Sequence, residues 1–219
     1  MRTLLLGILL LGCVAGNAQK QGNIRLNLYG NYVFDDSFDS YYSATSFYSG
    51  KIKGGFQYGL GIEFMPQPVV GVELSWQRFD TKAPTSYYDP NSFQNPKSNE
   101  FGVVFNYIML GFNRYMMANE HVEGFLGGQL GVGVVDVSNL PKGGSGSTTK
   151  FAWGLRGGTN IWFSHAAGIK LQAALQSVAQ GAGGGLYFGT GGAGVGVSTY
   201  STVLQFTLGG GLVFRFGGK

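Results

Sequence analysis

"TVLQFTLGGGLVFRF", residues 202–216, is apolar enough to suggest a membrane, yet three consecutive glycines interrupt it and Arg215 stands near its end. Separating the run by parity removes the conflict. Leu204, Phe206, Leu208, Gly210, Leu212, Phe214 and Phe216 fall on one side; Val203, Gln205, Thr207, Gly209, Gly211, Val213 and Arg215 fall on the other. Successive side chains of a strand point to opposite faces, so period-two segregation means two different environments. One face here is continuously apolar and ends in aromatics. The other is polar or small, and Arg215 belongs to it.

The same alternation recurs along the chain. In 23–34, Ile24, Leu26, Leu28, Tyr32 and Phe34 alternate with Arg25, Asn27, Tyr29 and Asn31. Residues 56–64, 70–76, 122–136, 151–163 and 168–176 repeat it. The stretch 101–115 obeys it poorly, because both parities are apolar around Ile108 to Phe112, and a bulge or a tightly filled interior is expected there. With 202–216 this makes eight strands, all but the seven-residue 70–76 of roughly 9 to 15 residues, the length a tilted strand needs to cross a bilayer. Short turns at 66–68, 117–121 and 164–167 alternate with long loops at 35–55, 80–100, 137–150 and 177–201. An antiparallel, up-and-down eight-stranded transmembrane β-barrel follows. Outer-membrane barrels put short turns in the periplasm and long loops outside, so an even strand count places both termini in the periplasm.

Composition agrees with a wall that is apolar on one side only. Of 219 residues just 12% are charged, 15% are aromatic and 39 are glycine, and the mean hydropathy is +0.06. Soluble domains carry about 25% charged residues, and a helical membrane protein needs a run of about 18 apolar ones. A soluble sandwich or lipocalin-like barrel also alternates but shows polar side chains to water. Here the polar face is about half glycine and too poor in charge for that. Aromatic girdles are expected at Phe34, Trp76, Phe79, Phe151 and Trp153 on the outer side, and at Phe64, Tyr115, Trp162, Phe163, Phe214 and Phe216 on the periplasmic side. The formal charge of +4 is too slight and scattered for nucleic acid.

The first 18 residues form a secretory signal peptide: Arg2, an apolar core and the small-residue site "GNA" ending at Ala18. "LLGC" at 10–13 resembles a lipobox and would make Cys13 a lipidated first residue; the poor leucine before Gly12 favours cleavage at Ala18. The barrel domain is then 19–219.

A signal peptide ending in "NAQ", eight amphipathic strands and a last strand "GGGLVFRF" together resemble the small outer-membrane β-barrel domain proteins, the A-, X- and W-type outer-membrane proteins with many members in Bacteroidetes. The resemblance covers 19–219 and is architectural. It implies a monomer that contacts outer-membrane lipid and lipopolysaccharide and is inserted by the barrel-assembly machinery reading the last strand. The terminal aromatic of that signal is usually the final residue, whereas "GGK" follows Phe216 here.

Chemistry is harder to find than architecture. His121 and His165 both fall in short turns, away from an outer-face active site, so no enzyme is expected. No Cys/His cluster or metalloprotease motif occurs, and Asp35, Asp36 and Asp39 lack calcium-loop spacing. No metal or cofactor is expected. The lumen is more informative: Arg25, Glu63, Glu73, Glu123, Lys170 and Arg215 all point inward near the periplasmic ends of their strands. An eight-stranded barrel is only wide enough to be filled by side chains, and unpaired charge there is costly. These six are therefore expected to form an ion-pair plug. Above them Asn27, Gln57, Gln129, Asn160, Gln172, Gln176 and Gln205 suggest a wet pocket open to the outside. Loops 38–50 and 85–96 carry Tyr41, Tyr42, Phe47, Tyr48, Tyr87 and Tyr88, an aromatic and hydroxyl mixture suited to contacting an extracellular ligand of unknown identity. Loop 181–198 is nearly all Gly and Ala and is expected to be mobile. The reading is a barrel with a structural or surface-interaction role, with a narrow channel or pocket for ions or small solutes as the alternative.

Overall fold

A computed structural model describes residues 23–43, 46–87, 97–139, 144–178, 185–189, 192–196 and 203–217. For Asn23, 38–43, 46–48, Tyr87, 185–189 and 192–196 it describes backbone alone. Residues 1–18, read above as a signal peptide, and Cys13 with them, lie outside the described residues.

Eight strands close into a ring: β1 (Asn23–Val33), β4 (Gly55–Gln67), β5 (Val70–Tyr87), β6 (Lys97–Met117), β7 (Val122–Ser138), β8 (Ser145–Trp162), β9 (Ala167–Val178) and β12 (Val203–Phe216). Every neighbour in the ring is antiparallel; β12 returns to β1, and β5 pairs with β6 to complete the closure. Four short strands decorate the long-loop end. The segment read as loop 35–55 forms a hairpin of β2 (Asp36–Ser43) and β3 (Ser46–Ile52), and β3 adds to β5. Within the glycine-rich stretch read as a loop, β10 (Gly185–Gly189) and β11 (Gly192–Gly196) pair with each other as a hairpin.

Several strands run further than their apolar alternation. β5 has 18 residues, which at about 3.3 Å each is roughly 60 Å of chain, far more than the ~25 Å band that faces lipid. The loops read at 80–100 and 137–150 therefore shrink, because strands standing above a bilayer need no apolar outer face to announce them. The doubtful stretch 101–115 lies in β6, which pairs with both neighbours without a register shift. There the filled interior, not a bulge, explains two apolar faces.

Every barrel strand contributes to an exposed apolar exterior: Ile24 and Leu28, Leu60 and Ile62, Leu74, Ile108 and Leu110, Leu126 and Leu130, Leu155, Ile169 and Leu171, and Leu204 with Leu208 and Leu212. Leu126 is 64% exposed and Ile62 56%. A contiguous apolar surface of this extent is a lipid-facing wall. Three residues expected in the girdles face inward instead: Phe79, Tyr115 and Trp162 are at most 5% exposed. Their parity is opposite to that of the outward Leu74, Phe112 and Ile161 on the same strands.

The three glycines that opened the sequence sit at the seam between β9, β12 and β1. A Cβ at Gly210 would overlap the Lys170 carbonyl oxygen, and one at Gly211 the Leu28 carbonyl oxygen. Only glycine allows the neighbouring backbones to come this close.

Candidate functional site

The interior is filled in three layers. At the short-turn end lies a charged layer in which Arg25, Arg156, Lys170, Glu63, Glu73 and Glu123 are each at most 3% exposed. They are the buried charged residues among those described, three of each sign. Arg25 Nη1 donates to Glu123 Oε1 at 2.6 Å, and Asn160 Nδ2 donates to the same oxygen at 2.8 Å. Glu73 pairs with Arg156 and also accepts from Asn27 Nδ2 at 2.9 Å and from the Tyr29 hydroxyl. Arg156 further donates to Asn113 Oδ1 at 3.1 Å and to the Tyr29 oxygen at 3.2 Å.

The six residues expected to pair thus divide. Arg25 and Glu123 pair with each other, while Glu73 takes Arg156. Glu63 is held by neutral donors, the Asn113 amide and the Tyr115 hydroxyl, both at 2.7 Å. Lys170 Nζ makes no hydrogen bond among the described residues; it lies 4.7 Å from the Phe125 ring centroid and 5.7 Å from that of Tyr29. Such ring contacts favour a desolvated cation. Arg215 stays at the half-buried mouth, 4.0 Å over the Trp162 ring, with no ion pair among the described residues.

Sequence reasoning left out Arg156, Asn113, Tyr29 and Tyr115. Parity put Arg156 inside, but it stands six residues from the end of β8 and was not counted with the layer. The guanidinium reaches it because Gly111 beside it has no side chain: a Cβ there would come within 2.8 Å of Arg156 Nη2. The same device serves the carboxylates, since a Cβ at Gly61 would overlap Glu73 and one at Gly71 would overlap Glu63.

Above the charges runs a chain of amides. Gln172 Nε2 donates to Asn31 Oδ1 (3.1 Å), Asn31 Nδ2 to Gln57 Oε1 (3.3 Å), Gln57 Nε2 to Gln176 Oε1 (3.0 Å), and Gln176 Nε2 to Gln77 Oε1 (2.9 Å). This layer was expected to open outward as a wet pocket. It is instead roofed by an apolar cluster including Val33, Ile52, Phe79, Phe101, Phe105, Tyr107 and Val135. Phe79 stacks on Phe105 and Phe105 on Tyr107, each at 6.1 Å, and Tyr107 donates to Gln205 Oε1 at 2.8 Å. Ile52 belongs to β3, so the outer hairpin helps close the roof.

Outside the barrel, Asp35 pairs with Lys51 and accepts from the Gly54 backbone N–H, and Asp36 accepts from the Leu204 N–H at 3.0 Å. The hydrogen bond from Lys51, then that from Gly54, hold the Asp35 carboxyl below its ordinary range. Among the residues named for loop contacts, backbone pairing sets Tyr41 opposite Phe47 and Tyr48 opposite Tyr87. Tyr42 also lies in β2; Tyr88, and the side chains of the other five, lie outside what is described.

A closed ring of eight antiparallel strands, an apolar exterior and a polar, filled interior define a transmembrane β-barrel. Solved structures of this kind resemble it: Neisserial surface protein A (NspA) superposes with a TM-score of 0.55 at 10% identity, covering 89% of this chain and 97% of that one. The outer membrane protein OprG of Pseudomonas aeruginosa gives 0.54 at 13% identity, covering 91% and 98%. At these identities the likeness is one of fold. No family model and no curated protein matches the sequence.

Proposed function

We propose that the protein is an integral outer-membrane barrel with a structural or surface-interaction role and a closed lumen. The observation that carries this reading is the filled interior: the apolar roof, the amide chain and the neutral charged layer lie on one axis and leave the outer surface as the place of action. In this reading the signal peptide at 1–18 is removed, both termini are periplasmic, the long loops face outside, and the chain is a monomer. Its partners are outer-membrane lipid and lipopolysaccharide, with the barrel-assembly machinery engaging "GGGLVFRF" during insertion. Kinship with the A-, X- and W-type barrels of Bacteroidetes rests on that strand and the architecture. The pairing of β3 with β5, which joins the 38–50 and 85–96 loops in one sheet, supports a composite surface for an extracellular ligand.

Refolded protein in a planar bilayer tests the reading. Wild type and Glu123→Gln are both expected to give no stable current steps once folding is verified by heat-modifiable gel mobility. Steps in the wild type that change in Glu123→Gln would overturn it in favour of a narrow channel gated at the charged layer.

A further inference from the structure

The short-turn mouth of the barrel holds a cavity of about 280 Å³, near the lower end of small-ligand sites. Arg215, Trp162, His121, His165, Ser164 and Glu120 line it. The charges beneath it balance without Arg215, so this guanidinium is surplus to the layer. It stands directly opposite Arg25 across the β1–β12 ladder, yet Arg25 has Glu123 and Arg215 has no carboxylate within ion-pairing distance among the described residues. Two buried donors at the cavity lack acceptors: Arg215 Nε and Trp162 Nε1, the latter on a side chain only 5% exposed. Buried donors are nearly always satisfied, and an orphan one points to an absent acceptor. A metal ion does not fit, because no group of three metal-ligating side chains converges among the described residues.

We propose that this mouth is a phosphate-binding site, and that its occupant is the headgroup phosphate of a phospholipid in the adjoining leaflet. With a small shift of the side chains over them, a phosphate oxygen would reach the buried Arg215 Nε and Trp162 indole N–H and supply both missing acceptors, and arginine suits the planar, charge-assisted recognition of phosphate. Lipid is favoured as the source by position. Phe163 lines the cavity yet is 65% exposed on the outer wall, and Phe216 next to Arg215 is also on that wall. The cavity therefore opens at the edge of the apolar band, where headgroups lie. Free phosphate carries the same chemistry from solution. Glu120 on the rim opposes either anion and weakens its binding.

The test follows the Trp162 indole N–H resonance by NMR in the folded protein in uncharged detergent, assigned with Trp162→Phe. Inorganic phosphate and short-chain phosphatidylglycerol are titrated separately to about 10 mM. A saturable shift with the lipid, weakened at least about tenfold in Arg215→Gln, is the expected result. A shift with inorganic phosphate of equal affinity supports the phosphate site and overturns the lipid source. No shift with either, or shifts unchanged in Arg215→Gln, overturns the proposal. Should Arg215→Gln fail to fold, Glu120→Gln decides: tighter binding is expected, and unchanged or weaker binding overturns the site.

Discussion

Replacing Arg156 by methionine tests whether the charged layer holds the barrel together. The substitution keeps most of the side-chain volume but removes the donations to Glu73, Asn113 and the Tyr29 oxygen. Glu73 keeps Asn27 and Tyr29 as donors, but the layer passes from three charges of each sign to two positive and three negative. Removing one partner of a buried pair leaves an uncompensated charge and costs about 3–5 kcal/mol. The folding equilibrium should then fall by about two to four orders of magnitude, since about 1.4 kcal/mol is a factor of ten. Urea-driven unfolding from phosphatidylcholine vesicles, followed by tryptophan fluorescence, measures this. The decisive companion is Glu73→Gln/Arg156→Met, which restores a balance of two and two. It should recover at least about 2 kcal/mol of the summed single costs, a coupling expected for residues in direct contact. A cost below about 1 kcal/mol for Arg156→Met, or strictly additive singles, would refute the idea that charge balance stabilises the layer.

Leu130→Arg, on the exposed face of the middle of β7, should cost about 2–4 kcal/mol in the same assay, and Phe163→Arg at the edge of the wall about 0–1; equal costs would contradict a lipid-facing band. Gly211→Val should prevent folding, seen as lost heat-modifiability, because a Cβ there overlaps the Leu28 carbonyl oxygen, whereas Gly128→Ala should fold normally, its nearest neighbours lying at 3.8 Å or more. Asp35 ties the β2–β3 hairpin to Lys51 and Gly54, and its carboxyl is held low by those bonds. A lowered carboxylate contributes stability above its unfolded value of about 3.9 and loses it as pH falls through the folded value. Amide-exchange protection of residues 51–54 should therefore drop well below pH 4, and Asp35→Asn should be deprotected already at pH 6 and insensitive to acid; protection that ignores both would count against the tether.

How far the fold is legible depends on which solvent each residue meets. Lipid imposes a strict demand, so the outward Leu, Ile and Phe of 56–64 or 202–216 declare period two, and the ring of eight follows. Above the bilayer that demand lapses. The outer faces of β5 and β6 carry Asp80, Lys82 and Glu100, and strands there read as loops. The β2–β3 hairpin is illegible for the same reason, since "DSFDSYYS" shows no apolar stripe. Phe79, Tyr115 and Trp162 were assigned to the girdles on aromatic type, although parity already pointed Phe79 and Trp162 inward; for Tyr115 the two apolar faces of 101–115 left parity silent. Depth in the lumen is the least legible coordinate. A long side chain is placed by where its tip ends, so Arg156 joins a layer its backbone lies above.

The glycines of the inward face carry the deeper lesson. Read as composition, a polar face that is half glycine suggests an empty lumen with room for water. Glycine on one strand is instead the space into which a long side chain of a nearby strand lies flat: Gly61 for Glu73, Gly71 for Glu63 and Gly127 for Asn113 on the next strand, and Gly111 for Arg156 two strands away. The vacancy and its occupant lie on different strands, so counting residue volumes strand by strand misses the match. An eight-stranded ring has little interior to spare, and charged side chains of this length can enter it only where a neighbour gives up its Cβ. Glycine paired across strands with Glu, Arg or Asn is therefore a mark of a filled barrel. It explains how a lumen that looked open in the sequence comes to be apolar at its roof and charge-balanced at its floor.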